Sequence, residues 1–315
     1  MVGKITSNKK ASCSLLPAIM GHSKYDSKNN VLKKVIDANA GIEDHWRGNE
    51  ATGWGNTLEP VIIDTAAERL GIRHGGQVDK AAKHAEIPLE ASLDAEGHGD
   101  GSVVSPNPAA GIYVMTPTDA ITLDGVGVLE AKVTSHDIED VPPISRGPLQ
   151  AQGQMMCIGG KWGAVCVLYR GICLRTFLFE RHPPTVDAIT KAVIDFDRRV
   201  HSDPTDWYDI DDSDDAVIVY AEVKETETPI ALNDEAALLL AEYVQLKESL
   251  AEGKTAMDLI TVEVQKMLGN HAVGTAGTFE CHWPMRRFKA QAEKVIPAKD
   301  ARVVRQKTIM VRNLT

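Results

Sequence analysis

Nothing in this 315-residue chain approaches the eighteen or so consecutive apolar residues that a membrane-spanning helix needs. Its opening stretch, MVGKITSNKKAS, also lacks the apolar segment of a secretory signal. The expected location is therefore cytoplasmic, with no membrane partner. Cysteine is sparse: Cys13, Cys157, Cys166, Cys173 and Cys281 are odd in number and form no CxxC pair. That excludes a zinc-ribbon or iron–sulfur reading and predicts reduced residues inside apolar runs. The chain has no internal repeat and no G-x-x-x-x-G-K-[ST] phosphate loop. An overall basic charge is missing too, since the formal net charge is −10.

What is present is a strong asymmetry of charge. Residues 271–315 hold nine basic side chains, among them Arg286 and Arg287, against Glu280, Glu293 and Asp300. A basic patch on an otherwise acidic protein suits phosphate binding, and a solvated tail gives the same count. With 43% hydrophobic residues and 25% charged ones, the rest has ample material for a core and a smaller second domain.

Local patterns give the order of elements. Residues 12–21 read as a short helix stopping at Gly21. A longer helix is predicted over 57–72, capped by Asn56 or Thr57, with Pro60 in its first turn and Leu58, Ile62, Ala66 and Leu70 along one face. On that reading Glu59 is a first-turn acid that complements the helix dipole. Residues 84–97 read as extended and carry Asp94, 97–111 as a loop, and 112–123 as a strand. Asp124-Gly125 then signals a hairpin turn into the run 125–134.

After Pro142-Pro143, residues 149–158 look helical. Residues 161–169 and 172–180 look like a hairpin about Arg170-Gly171, and 184–200 like a helix burying Val186, Ile189, Val193, Phe196 and Val200. Seven aspartates in 203–215 have neither the glycine nor the closing glutamate of a calcium loop, so a solvated linker is expected. Residues 234–252 and 254–268 read as a helical hairpin, with Leu239, Tyr243, Leu246 and Leu250 on one helix and Met257, Ile260, Val264 and Met267 on the other. A basic, β-rich segment follows. The whole is a mixed α/β core with a C-terminal appendage.

The chemistry centres on Glu130 and Lys132. Two residues apart on a strand, they point to the same face, with Ala131 opposite. A carboxylate there can grip a hard cation, and an amine can stand beside the water that the cation activates. Most such pairs are simply solvated charge, so the reading depends on a second acid. If Asp124-Gly125 makes a two-residue turn, Asp119 faces Glu130. Asp94 has no such local pairing.

Several segments, in order, resemble the lambda-exonuclease/YqaJ-type phage recombination nucleases of the PD-(D/E)XK superfamily. Ser14 to Gly21 is similar to that family's Ser…Ile-x-Gly opening, and WGNTLEP at 54–60 to its Gly-x-x-Leu-Glu-Pro helix start. His84, Pro88 and Ala91-Ser92-Leu93-Asp94 resemble its His-Pro-x-x-Pro…Ala-Ser-Pro-Asp-Gly segment, and LEAK at 129–132 its Glu-x-Lys. QAQGQMMCIG at 150–159 resembles its Gln-x-Gln helix, placing Gln152 with Gln150 beside it. The Leu-x-x-Tyr-x-x-Leu-Lys stretch and Met-Leu-Gly ending match its rear.

The resemblance implies a restriction-endonuclease-like core over 1–222, with the hairpin and basic β-rich region at 223–315. It implies a nuclease using two Mg²⁺ ions (or Mn²⁺) per site on double-stranded DNA ends, digesting 5′ to 3′. Asp94, Glu130, the Ala131 carbonyl and Glu59 would be metal ligands, and it favours Asp94 where the turn geometry favours Asp119. Lys132 and Gln152 would complete the catalytic set. Ser14, Arg286 and Arg287 would contact DNA or phosphate. A single-strand annealing protein is an implied partner, a trimer the implied assembly, and a bacterial host cytoplasm the implied setting for a phage-encoded chain.

Overall fold

The computed structural model describes residues 5–42, 48–76, 78–221 and 230–285. Its contacts divide the chain into two units, Met1–Tyr220 and Ala221–Thr315. No helix among the described residues is long and apolar enough to cross a membrane.

The first unit runs β1 (Ala11–Ser12), a 3₁₀ turn at Cys13–Leu15, α1 (Leu16–Ile19), α2 (Lys28–Asn39) and α3 (Glu50–Leu70). Then come β2 (Arg73–His74), β3 (Ala82–Lys83), β4 (Leu89–Ala91), β5 (Ala95–Val104), β6 (Ile112–Val114) and β7 (Ile121–Thr134). The unit closes with α4 (Pro148–Ile158), β8 (Trp162–Tyr169), β9 (Cys173–Glu180), α5 (Pro183–Val200) and α6 (Ser213–Val219). Six strands form one mixed sheet in the order β2-β5-β7-β8-β9-β6, and β1, β4 and β3 form a small second one. In the large sheet β7 runs parallel to β8 and antiparallel to β5. This is the mixed α/β architecture expected.

Helices cover both faces of the large sheet, because successive strand residues point to opposite sides. On one face Leu129 and Trp162 pack with Ile62, Ile63, Ala66 and Leu70 of α3. On the other, Val128 joins Met155 of α4, Ile189, Val193 and Phe196 of α5, and the α1–α2 pair. Trp162 lies across the Gly97–Gly127 pair of β5 and β7. A Cβ at Gly127 would stand 2.2 Å from the indole, so these two glycines make the room that the ring fills.

Several expected elements form as read. α4 stops at Gly159, in the left-handed region at φ 70°. β8 and β9 turn at Arg170 and Gly171, both at positive φ, as a tight hairpin requires. Other elements differ. α3 starts at Asn49, whose side chain accepts from the Thr52 N–H in a capping box, rather than at 56–57. Glu59 and Pro60 are therefore interior, and the first-turn role for Glu59 is gone. The expected loop at 97–111 is largely β5, and Asp124-Gly125 lies inside the long β7 instead of turning. Asp124 pairs with Asp100 across the ribbon.

The aspartate-rich stretch is no free linker. Asp212 caps α6 by accepting from the N–H groups of Asp214 and Asp215. Buried Asp215 accepts from Asn29 Nδ2 at 3.1 Å and from the Ser27 hydroxyl, fixing α6 on α2.

In the second unit the predicted helical hairpin is a single helix, α7 (Asp234–Leu268). Gly253 costs about 1 kcal/mol relative to alanine inside a helix. Strong helix formers on both sides outweigh that. β10 (Val273–Ala276) and β11 (Phe279–His282) then pair antiparallel. Leu268 is buried against Gly274, where a Cβ would stand 2.6 Å from its side chain.

Candidate active site

β5 pairs with β7 only as far as Ala95 opposite Leu129. Among the described residues no strand continues along the β5 side of β7 beyond that point, and the next residue back along the chain, Asp94, takes its place. Asp94 Oδ2 accepts from the Ala131 N–H at 2.8 Å. A strand residue directs its N–H and C=O to the same edge, so the Ala131 carbonyl faces that side as well. The departure of β5 thus leaves a carboxylate and a backbone carbonyl on one open sheet edge.

That edge borders a cavity of about 880 Å³. Glu59, Asp94, Glu130, Ala131, Lys132 and Ser14 all line it. Six of the residues singled out from the sequence are therefore brought together from α3, the β4–β5 connection, β7 and the 3₁₀ turn. Asp119 is not among them. It is exposed in the turn before β7, and its expected place opposite Glu130 depended on a hairpin turn that does not form.

Within the cavity Glu130 is 1% exposed and pairs through Oε1 with the Lys132 ammonium. Its Oε2 accepts from Gln154 Nε2 at 2.6 Å, and the same amide nitrogen donates to the Ser92 carbonyl at 3.1 Å. Lys132 also donates to Gln150 Oε1 at 3.1 Å. Gln152 is elsewhere. Its amide donates to the Glu180 carbonyl at 2.7 Å and accepts from the His182 N–H at 2.9 Å, so it ties α4 to the β9–α5 junction. The reason is helical period. Residues 150 and 154, four apart, share a face, whereas 152 points away from it. The Gln-Ala-Gln-Gly-Gln spacing already contained that information.

Charge balance in the site is negative. Three carboxylates face one nearby ammonium, and the acids repel one another. Burial, then Glu130, raises the Asp94 carboxyl to about 8, with Glu59 adding and Lys132 and the Ala131 N–H opposing. Burial and Glu130 also raise Glu59. For Lys132, burial pulls the ammonium down, but Glu130 and Asp94 outweigh it and hold the pKa above its ordinary value. Lys132 is therefore a charged donor here.

Among the described residues no group of three or more His, Cys, Asp or Glu side chains is arranged as a ready metal cage. Magnesium does not require one, since it takes one or two carboxylates and fills the remaining positions with water and phosphate oxygens. Asp94, Glu130 and the Ala131 carbonyl are hard oxygen donors, and burial together with the neighbouring Glu130 keeps on Asp94 a proton that a cation would replace. This donor set fits a divalent cation of that kind.

Further side chains at the cavity were not given a role from sequence, among them Tyr25, Trp54, His136 and Arg146. Tyr25 and Trp54 are exposed at its wall, and Arg146 pairs with Glu139. No local pattern marks them, because loop and helix-start positions far apart in sequence meet only in the fold. The Ser14 hydroxyl is held by Ser12 Oγ at 3.1 Å. Arg286 and Arg287 lie outside the described residues. Cys13 and Cys166 are buried and Cys157 half-buried, and burial pushes the Cys166 thiol up to about 12.

No family model matches the chain, and no curated protein matches it. Among solved structures, an alkaline exonuclease (LHK-Exo) from Laribacter hongkongensis is similar at 18% identity and TM-score 0.46, covering 62% of this chain and 90% of that one. A phage-related exonuclease from Haemophilus somnus 129PT is similar at 14% identity and TM-score 0.40, covering 60% and 94%. SSO0001 is similar at 10% identity and TM-score 0.35, covering 62% and 78%. Likeness at this level carries no functional weight, which falls on the side-chain geometry.

Proposed function

We propose that this chain is a metal-dependent deoxyribonuclease acting at double-stranded DNA ends, digesting 5′ to 3′ and leaving 3′ single strands. One observation carries the reading: Glu59, Asp94, Glu130 and Lys132 converge on a single cavity at the open edge of β7. Asp94, Glu130 and the Ala131 carbonyl would hold one Mg²⁺, and Glu59 the second. The metal, when bound, supplies charge neutralisation at the scissile phosphate and a more acidic attacking water.

The protein groups have distinct tasks. Gln154 fixes one oxygen of Glu130, and Gln150 holds the Lys132 amine beside it. Lys132 stays protonated and donates to a phosphate oxygen where charge develops, a contribution of about 10²–10³-fold in rate for one well-placed donor. Ser14, which also lines the cavity, can donate to a terminal phosphate. Trp54 and Tyr25 offer π-faces on which unpaired bases stack, worth about 1–3 kcal/mol per base.

The deciding experiment is digestion of end-labelled linear duplex with Mg²⁺, with and without EDTA. Wild type should release nucleotides only with metal, and Lys132→Ala should bind duplex but release none. Metal-dependent hydrolysis by Lys132→Ala would remove the assignment. A covalently closed circle should survive. Its cleavage would make the enzyme an endonuclease, and duplex binding without any hydrolysis would make it an accessory DNA-binding protein.

A further inference from the structure

α7 is a 35-residue helix, about 52 Å long at 1.5 Å per residue, and of all its side chains only Leu268 is buried. Within proteins a helix draws most of its stability from packing an apolar face, so one of this length without a packed face lacks its usual support. Its sequence carries a 3–4 alternation through all five turns of the repeat, with Leu238, Leu240, Val244, Leu259 and Val262 outside it. Ala236, Tyr243, Leu250, Met257 and Val264 occupy one heptad position (a), and Leu239, Leu246, Gly253, Ile260 and Met267 the other (d). Gly253 is the single residue of the ten without a side chain. The seam is open to solvent along its length: Leu250 is 78%, Met257 69% and Met267 83% exposed.

A heptad seam sustained through the whole helix is the pattern of a left-handed coiled coil rather than of a face docked on a globular core, which follows a 3.6-residue period. The flanking charges choose the partner and its direction. On one side of the seam (g) stand Glu235, Glu242 and Glu263, and on the other (e) Lys247 and Lys254. In a parallel, in-register pair of identical helices, Glu242 of one copy meets Lys247 of the other, twice by symmetry. Antiparallel pairing sets g against g and e against e, which brings glutamates to glutamates and lysines to lysines.

We infer that α7 associates with α7 of a second copy of this chain as a parallel, in-register coiled coil through its a and d residues. The inference is independent of the nuclease reading.

Sedimentation equilibrium of the full chain over a wide concentration range tests it. The expected mass is twice the 34.2 kDa of one chain, and a mass of three chains, the assembly that the resemblance implies, overturns a two-stranded pairing. Leu250→Asp with Met257→Asp should return it to one chain. Glu242→Lys alone, or Lys247→Glu alone, should weaken association about tenfold, by turning two attractive exposed pairs into repulsive ones. The two charge changes combined should restore it. A wild-type mass of one chain at every concentration, with the seam covered from within the chain, overturns the proposal. So does association indifferent to the seam variant, or charge variants that fail to rescue one another.

Discussion

At the scale of single residues, three glutamines in one helical turn and a half have three different jobs. Gln154→Ala should lower kcat by about tenfold or more with little change in KM, because Glu130 loses a charge-assisted partner worth about 1.5–3 kcal/mol. Gln152→Ala should leave kcat per folded molecule unchanged and lower Tm, because its bonds join α4 to the β9–α5 junction. Steady-state kinetics beside thermal melts separate the two. Asp94 gives a pH prediction. Its folded carboxyl holds a proton to about pH 8, while the unfolded one releases it near 3.8. The folded state thus binds more protons between those values, and the metal-free protein should lose stability as pH rises from about 4 to about 8. Melting curves at pH 5 and pH 8 should show this fall. Asp94→Asn should flatten it, and Mg²⁺ should offset it at pH 8. The acids themselves were legible in the sequence as residue types in a family-like order. That Asp94 rather than Asp119 lies at the cavity was not legible locally, since it depended on whether Asp124-Gly125 turns. In the fold these two residues, with Gly125 at φ 68°, stay paired with β5 inside β7 instead.

At the scale of elements, patterns with a strong period were readable and boundaries governed by caps or long-range pairing were not. α4, α5 and the β8–β9 hairpin follow from apolar spacing and turn chemistry. The start of α3 does not, because Gly53 and Gly55 weaken the helical signal over the turns that the Asn49–Thr52 box nucleates. β5 hides in a run rich in glycine and serine, and its strand character comes from β7 beside it. These glycines have opposite expected responses to the same change. Gly127→Ala should destabilise by about 1–3 kcal/mol or more, since its Cβ meets the Trp162 ring. Gly53→Ala, with open space around it inside a helix, should stabilise by about 0.5–1 kcal/mol. Denaturant titrations of both variants check the sign of each.

For the molecule as a whole, charge distribution matters more than its sum. A protein of net charge −10 repels duplex at long range unless its cations are gathered, and here residues 271–315 gather nine of them. If that segment makes about six phosphate contacts, duplex affinity should fall about 10³-fold between 50 and 200 mM salt. Fluorescence anisotropy across that range measures the slope. A flat dependence would move DNA binding away from the basic segment. The asymmetry was visible in the sequence, as was a change of character after the aspartate-rich stretch. That α6 belongs to the first unit was not visible, because buried Asp215 is held by Ser27 and Asn29 nearly the whole unit away in sequence.

The way β5 leaves β7 sets where this chain can tolerate a change of length. Ser92, Leu93 and Asp94 act as a spacer of fixed size: the Ser92 carbonyl is held by Gln154, Leu93 is buried, and Asp94 reaches the Ala131 N–H. One residue added or removed there would rotate the carboxylate to the wrong side of the sheet. Past the bulge at Asp100–Ser102 the β5–β7 ribbon keeps Ile121 and Leu123 buried, and its tip, the connections at 105–109 and 117–119, is exposed to solvent. Insertions accumulate without penalty there, so homologues should differ in size at the ribbon tip and agree to the residue at the spacer.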